Sequence, residues 1–229
     1  METFFVNPLW KGQTAYIIGG GPSLKNIDLS FLEKKNVIAT NFGFEKVLPK
    51  YILVGDNDIF RQCPDLGQTL KNLEKKGVNV ITFSSTVAKR LNFNYMKKTA
   101  SYGLCKEQGC ISWNIPKTDT TPYIDGGNTG AGAINFAYFL EVNSIFLLGF
   151  DMHKIANNNN FHTHYTVTTN EQKIAKHRKQ VELICKDLKA IGIKVFDVRP
   201  SLDRDSHLRY TTHVNLEDFL EVKGAYNGS

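Results

Sequence analysis

Short apolar runs, each followed by a longer stretch of mixed character, recur along the first ninety or so positions of the chain. Ala15 to Ile18, Asn36-Val-Ile-Ala-Thr-Asn41, Tyr51 to Val54 and Val78 to Phe83 are continuous rather than alternating. Runs of this kind predict strands covered on both faces. Between them, Ile27-Asp-Leu-Ser-Phe-Leu-Glu33 predicts a short helix, and Leu66 to Lys76 a polar helical segment stopped by Gly77. Ser144 to Asp151 is the most hydrophobic run and predicts an interior strand. Farther on, Ile174, Val181, Ile184, Cys185, Leu188 and Ile191 recur at helical spacing. Thr169-x-x-Gln172 (or Thr168-x-x-Glu171) supplies a capping box for that helix, and Gly192 ends it. Lys194-Val-Phe-Asp-Val198 is the last predicted strand, followed by Arg199-Pro-Ser and a polar tail. Strands alternating with helices imply βαβ units. The expectation is one Rossmann-like α/β domain over residues 1–229, with a mainly parallel sheet and helices on both faces.

Two stretches interrupt the alternation. Residues 92–124 are dominated by Asn, Lys, Tyr, Gly and Thr without a sustained period, and include Cys105, Cys110 and Trp113. They predict an irregular insertion, with room for a hairpin, near the mouth of a site. Residues 152–168 contain a polar loop, His153 to Tyr165, too long for a simple connection and expected to be a lid, a binding loop or disordered.

Glycine marks two strand–helix junctions. In Thr14-Ala-Tyr-Ile-Ile-Gly-Gly-Gly-Pro-Ser-Leu24 the first strand runs into a turn that lets a phosphate approach main-chain N–H groups, or that is simply tight. In Asp125-Gly-Gly-Asn-Thr-Gly-Ala-Gly-Ala, Asn128 or Thr129 caps a helix on which Gly130, Ala133 and Ala137 share a face. Its bare first turn suits an anion; close packing alone is the plainer alternative.

In a parallel sheet the carboxyl ends of strands line one edge, so Ser23, Asn41, Asp56 and Asp151 converge there with Thr129 at the helix start. Asp56-Asn-Asp58 matches the DxD by which sugar-nucleotide transferases hold a divalent metal on a diphosphate, and equally a solvated turn. His153, His162 and His164 crowd the predicted lid beside Asp151. Imidazoles there suit a general acid or base, or a metal, or are incidental polar residues. His177 falls on the apolar stripe of the long helix and reads as a hydrogen-bonded core residue. No role is assigned to His207 or His213. The chain lacks GxSxG, HExxH, a Walker lysine and a GxGxxG with a ribose-binding acid, since Asn41 stands where that acid belongs.

Composition narrows the class only a little. Hydrophobic residues make up 41% and charged residues 22%, as in a globular protein with a full core. No apolar run approaches the roughly 20 residues of a membrane span. Met1-Glu-Thr-Phe-Phe-Val has no basic lead-in and is not a signal peptide. The four cysteines show no CxxC and read as reduced thiols, so a cytoplasmic location is expected. The net charge of +6 favours an anionic ligand or partner. The basic run Lys173 to Lys179 reads as a solvated helix face. Phe4, Phe5 and Trp10 are candidates either for an interface or for packing under the sheet.

Gly20-Gly-Pro-Ser-Leu24, the strand ending Thr40-Asn41, Gly127-Asn-Thr-Gly130 opening a helix, and Leu148-Gly-Phe-Asp151 together resemble one bacterial and phage superfamily. It comprises the lipooligosaccharide sialyltransferases, the motility-accessory-factor glycosyltransferases and the hydroxymethylpterin diphosphokinases. The wording of the chain is most similar to that of uncharacterised phage members, which implies the cytoplasm of a bacterial host. The resemblance covers roughly residues 14–200 apart from the insertion.

It implies that Gly20, Gly21, Pro22, Ser23 and Asn41 contact a nucleotide, with Asn128, Thr129 and Gly130 at the helix start. It implies a catalytic base in the lid, best matched by His164 and next by His162. The sialyltransferases' phosphate-assisting tyrosines are replaced here by Met152 and His153, and their third-strand asparagine by Asp56 or Asn57. The implied activity is transfer of a sugar from a CMP- or UDP-type nucleotide-sugar to a hydroxyl acceptor, a glycan or a modified DNA base. No tightly bound cofactor is implied, and a divalent metal, if used, falls to Asp56, Asp58 and Asp151. The alternatives are an ATP- and metal-dependent diphosphokinase and a non-catalytic module binding nucleotide or nucleic acid. Oligomeric state is not readable from the sequence.

Overall fold

The computed structural model describes residues 6–55, 57–99, 103–106, 123–125, 127–154, 160–164, 170–200 and 208–225. Its strands are β1 (Thr14–Ile18), β2 (Val37–Thr40), β3 (Tyr51–Val54), β4 (Asn79–Thr82), β5 (Asn94–Tyr95), β6 (Lys97–Thr99), β7 (Tyr123–Asp125), β8 (Ser144–Leu148), β9 (Lys194–Arg199) and β10 (Thr212–Asn215). Eight of them form one sheet in the order β10-β9-β8-β1-β2-β3-β4-β5, and every pairing is parallel. The helices are α1 (Asn57–Gln62), α2 (Leu66–Glu74), α3 (Ser85–Leu91), α4 (Thr129–Phe139), α5 (Glu171–Ala190) and α6 (Leu216–Ala225).

The continuous apolar runs are explained by burial on both faces. Ala15, Ile17, Ile38, Leu53, Ile145 and Leu147 point to the side covered by α4 and α5. Their neighbours in sequence point the other way, Ala39, Ile52 and Val80 toward α1, α2 and α3, and Tyr16, Ile18 and Leu148 toward α6. This is the expected Rossmann-like α/β architecture. β8 is interior, between β9 and β1.

The chain steps outward from β1 to β5, then returns across the sheet to β8 on the other side of β1. The β1/β8 boundary is therefore the topological switch point, where carboxyl-end loops diverge and leave a crevice.

Several local expectations are corrected. The helix expected over Ile27–Glu33 is a single 3-10 turn, Ser30–Leu32. Asp28 accepts from the Ser30 N–H and Oγ–H, at 2.9 and 3.0 Å, and so draws the chain into a local turn instead of a helix. The polar tail carries β10 and α6, whose polarity fits an edge strand with its first residues exposed. The long helix is capped by Asn170, which accepts from the Lys173 N–H at 2.8 Å; Thr168 and Thr169 lie outside the described residues. Trp10 is buried and meets Tyr51 edge-on at 5.4 Å, so it packs under the sheet; Phe4 and Phe5 are not described.

Within the predicted insertion, β6 and β7 pair in parallel instead of forming the arms of a hairpin, and β5 extends the main sheet. Residues 103–106 are fastened beside α4: buried Asn135 accepts from Cys105 N–H at 2.9 Å and donates to its carbonyl at 3.0 Å. Cys105 is disulfide-bonded, which corrects the expectation of four reduced thiols, while Cys63 and Cys185 are free. Among the described residues no helix is long and apolar enough to cross a membrane.

Candidate functional site

At the switch point lies a cavity of about 500 Å³. Gly19, Gly20 and Gly21 form one wall and Asn128, Thr129 and Gly130, at the start of α4, another. Asn41 lines it from the end of β2, Asp151 from the end of β8, and Asn160 and His162 from the lid. Asp58 and Gln62 of α1 and Lys173, Ile174 and His177 of α5 complete the lining. Of the five residues expected to converge, Asn41, Thr129 and Asp151 line this cavity and Ser23 does not; Gly20, Gly21, Asn128, Gly130, His153 and His162 also line it. Asp56 lies outside the described residues.

The glycine turn is tight because β1 and β8 stay paired beyond their ends. Gly19 N–H donates to the Leu148 carbonyl at 2.7 Å and Gly21 N–H to the Gly149 carbonyl at 2.8 Å. A Cβ on Gly21 would overlap the Asp151 carboxylate and stand 2.6 Å from the Gly149 oxygen. Gly149 itself has φ 71°, which only glycine adopts without cost, and this turn folds Asp151 back toward β1.

There the Asp151 carboxylate accepts from the Ser23 backbone N–H at 2.8 Å and from the Ser23 hydroxyl at 2.6 Å. Asp151 is 1% exposed. Burial pushes its pKa up, while the two Ser23 bonds, Arg199 and His153 oppose that rise. Ser23 thus serves an internal carboxyl group, and Ser23 and Pro22 are not part of the cavity lining.

Arg199 was not singled out in the sequence, yet it anchors this arrangement. It is fully buried at the end of β9 and pairs with equally buried Asp197, Nε to carboxylate 2.8 Å. Its other nitrogens donate to the Asp151 and Phe150 carbonyls, both at 2.8 Å. Asp197 also accepts from the Leu208 N–H at 3.0 Å. A readable signal did exist: two opposite charges at i and i+2 of an otherwise apolar strand share one face and must neutralise each other if buried.

Asn41 takes a left-handed conformation, φ 50°, which asparagine tolerates better than most residues. Its side-chain oxygen faces the Gly55 N–H at 3.4 Å, linking the ends of β2 and β3. Asn128 caps α4 by accepting from Ala131 N–H at 2.9 Å, and its amide donates to Gln180 at 3.1 Å and the His177 carbonyl at 3.3 Å. Gly127 abuts the Gln180 amide so closely that any Cβ would overlap it. These contacts hold α5 across the cavity, and they correct the reading of His177: it is half-buried and lines the cavity instead of sitting in the core.

The loop histidines separate. His153 Nδ1 lies 2.6 Å from the Asp151 carbonyl, facing the cavity. His162 also faces it, while Phe161 N–H donates to the Gly20 carbonyl at 2.9 Å and pins the lid to the glycine turn. Burial, then the neighbouring His164, lowers the His162 pKa from 6.5 to about 4, so the ring is neutral near pH 7. His164 lies one layer out: its Nε2 meets Glu45 at 2.8 Å and its ring stacks on Phe42 at 4.2 Å. It borders a smaller hollow with Lys25, Lys46 and Phe161, not the main cavity.

Of the three carboxylates expected for a divalent ion, Asp58 and Asp151 are described and each already has a partner. Asp58 is ion-paired with Arg61, Asp151 is engaged by Ser23, and no three potential ligands gather among the described residues.

No family model matches the chain, and no curated protein matches its sequence. Among solved structures it is similar to the sialyltransferase CstII from Campylobacter jejuni in complex with a substrate analogue, cytidine-5'-monophosphate. Identity there is 17%, covering 89% of this chain and 86% of that one, with a TM-score of 0.48. An apo α-2,3-sialyltransferase from the same organism is 16% identical over 94% and 84% of the chains, with a TM-score of 0.42. The monofunctional α-2,3-sialyltransferase Cst-I, also from C. jejuni, is 14% identical over 94% and 95%, with a TM-score of 0.44.

Proposed function

We propose that the protein is a nucleotide-dependent transferase that moves a sugar from a nucleotide-sugar to a hydroxyl acceptor without a metal ion. The observation that carries this reading is the cavity at the β1/β8 switch point, where open α/β sheets bind nucleotides, with a neutral imidazole on its lid. A volume of about 500 Å³ accommodates a nucleotide-sized ligand.

In this reading the nucleotide lies between the glycine turn, Asn41 and the start of α4. The sugar's anomeric centre faces the lid. The acceptor oxygen forms the new bond to that carbon as the bond to the phosphate oxygen breaks, and the leaving phosphate keeps the electron pair. His162 takes the acceptor proton. Geometry favours it over His164, which is held by Glu45 outside the main cavity and orients the lid from behind. A glycan or a hydroxylated nucleobase meets the acceptor requirement.

The test is a thermal-shift screen with CMP, CMP-sialic acid, UDP- and GDP-sugars and ATP, each with and without Mg²⁺ or Mn²⁺. Ligand at a hundred times its dissociation constant adds about 2.7 kcal/mol. A metal-independent shift with a nucleotide-sugar supports the proposal. A shift seen only with ATP and metal replaces it with phosphoryl transfer through Asp56, Asp58 and Asp151, and no shift at all overturns nucleotide binding. Given a donor, His162→Ala is expected to lower kcat by about 10² to 10⁴ with nucleotide affinity retained. Equal loss of affinity refutes the role of His162 as base.

A further inference from the structure

We propose that Lys173 and His177 of α5 form the phosphate subsite of the cavity, holding the nucleoside phosphate in the bound donor and as it departs. This rests on the transferase reading above and supplies what that reading lacks, the groups that receive the leaving phosphate.

The glycine turn is ill suited, because most of its donors are committed. Gly19 and Gly21 N–H groups bond to the Leu148 and Gly149 carbonyls, and the Ser23 N–H and hydroxyl bond to Asp151. A phosphate there would also face a buried carboxyl group.

The opposite wall is different. Of the lysines and arginines among the described residues, Lys173 alone lines the cavity. The two carboxylates on the lining are already engaged, Asp58 by Arg61 and Asp151 by Ser23. Lys173 and His177 are four residues apart on α5, so they share a face and reach the cavity side by side, with Ile174 between them.

Their placement is enforced. Asn128 bonds to the His177 carbonyl and to Gln180, and Gly127 leaves room for α5 to press against the start of α4. Lys173 also sits in the first turn of a 20-residue helix, where the macrodipole disfavours a cation. An anion bound between that ammonium and the helix start removes the conflict. When the glycosidic C–O bond breaks, the electron pair stays on the phosphate oxygen, and the added negative charge develops against Lys173 and the His177 N–H.

The test is isothermal titration of the intact protein with CMP and with cytidine, repeated with UMP and uridine. Wild type is expected to bind the monophosphate more tightly than the nucleoside. Lys173→Met is expected to weaken the monophosphate about 10- to 100-fold and leave the nucleoside unchanged, with Lys173→Arg recovering most of the difference. His177→Phe is expected to act in the same direction and His177→Gln, which keeps an N–H donor, to act less. Lys173 is exposed, so its variants test the subsite without disturbing folding. Monophosphate affinity unchanged in Lys173→Met and His177→Phe overturns the subsite and leaves the transferase reading intact. Wild type that binds none of the four ligands overturns the subsite for pyrimidine nucleotides and, with no shift in the wider screen, the transferase reading as well.

Discussion

Removing the Ser23 hydroxyl tests whether the glycine turn serves an internal carboxylate or a ligand. In Ser23→Ala the backbone bond to Asp151 persists and the 2.6 Å bond from the hydroxyl is lost. Asp151 is 1% exposed, so water does not replace the missing donor. A hydrogen bond to a charged group contributes about 1.5–3 kcal/mol. At about 2–4 °C per kcal/mol for a chain of this size, the melting temperature near neutral pH should fall by roughly 3–12 °C.

The pH dependence has a definite sign. Burial raises the Asp151 pKa above its ordinary value and the Ser23 bonds oppose the rise, so deleting one bond raises it further. A carboxyl whose folded pKa exceeds its unfolded value binds protons preferentially in the folded state, and stability falls as pH rises through the folded pKa. The deficit of Ser23→Ala is therefore largest above that pKa and shrinks on acidification, as Asp151 takes up a proton. Urea unfolding of both proteins at neutral and mildly acid pH measures it. Equal deficits at the two pH values refute a charged Asp151 in the turn. Unchanged stability with lost nucleotide binding would instead put the hydroxyl on a ligand.

Arg199→Met strands the buried Asp197 carboxylate and should cost about 3–5 kcal/mol in chemical denaturation, whereas Asp197→Leu combined with Arg199→Met should cost less than the single change. A double variant less stable than Arg199→Met would refute the ion-pair account. His162, with its pKa lowered from 6.5 to about 4, contributes stability that is complete above pH 6.5 and lost as pH falls toward 4. Because the ring is partly solvated, the loss should be about 1–2 kcal/mol, and His162→Asn should flatten the stability profile over that interval. A profile unchanged by the substitution would show that another group titrates there.

The sheet was readable because its strands are buried on both faces and leave continuous apolar runs. The site's location followed from it, since parallel strands place Gly20, Asn41, Thr129 and Asp151 on one edge whatever the tertiary detail. The partnerships at that edge were not readable. Ser23 and Asp151 are 128 positions apart, and their contact depends on β8 lying beside β1, which a single sequence does not specify. His177 was misread for a different reason. It lies on the same stripe as Val181 and Ile184, but toward the helix start that stripe leaves the sheet and faces the cavity. β10 and α6 were missed because a half-exposed edge strand lacks the apolar run that revealed the others.

Two walls of the cavity are joined and one is separable. Asn128 caps α4 and, through the same side chain, holds α5 at His177 and Gln180, so displacing either helix costs hydrogen bonds at both. Behind the glycine turn, Arg199 fixes the Phe150 and Asp151 carbonyls and Asp151 fixes Ser23, which makes that wall equally rigid. The described part of the lid depends on the bond from Phe161 to Gly20, on the Lys46 ammonium 5.0 Å over the Phe161 ring, and on the stack of His162 and His164 against Phe42. In the proposed reading, admission of a nucleotide-sugar falls to this loop, and with it moves His162, whose pKa burial lowers. If the proposed subsite holds, a phosphate bound beside Lys173 brings negative charge into the cavity that His162 also lines, which raises the His162 pKa and strengthens the proposed base only once a donor is bound.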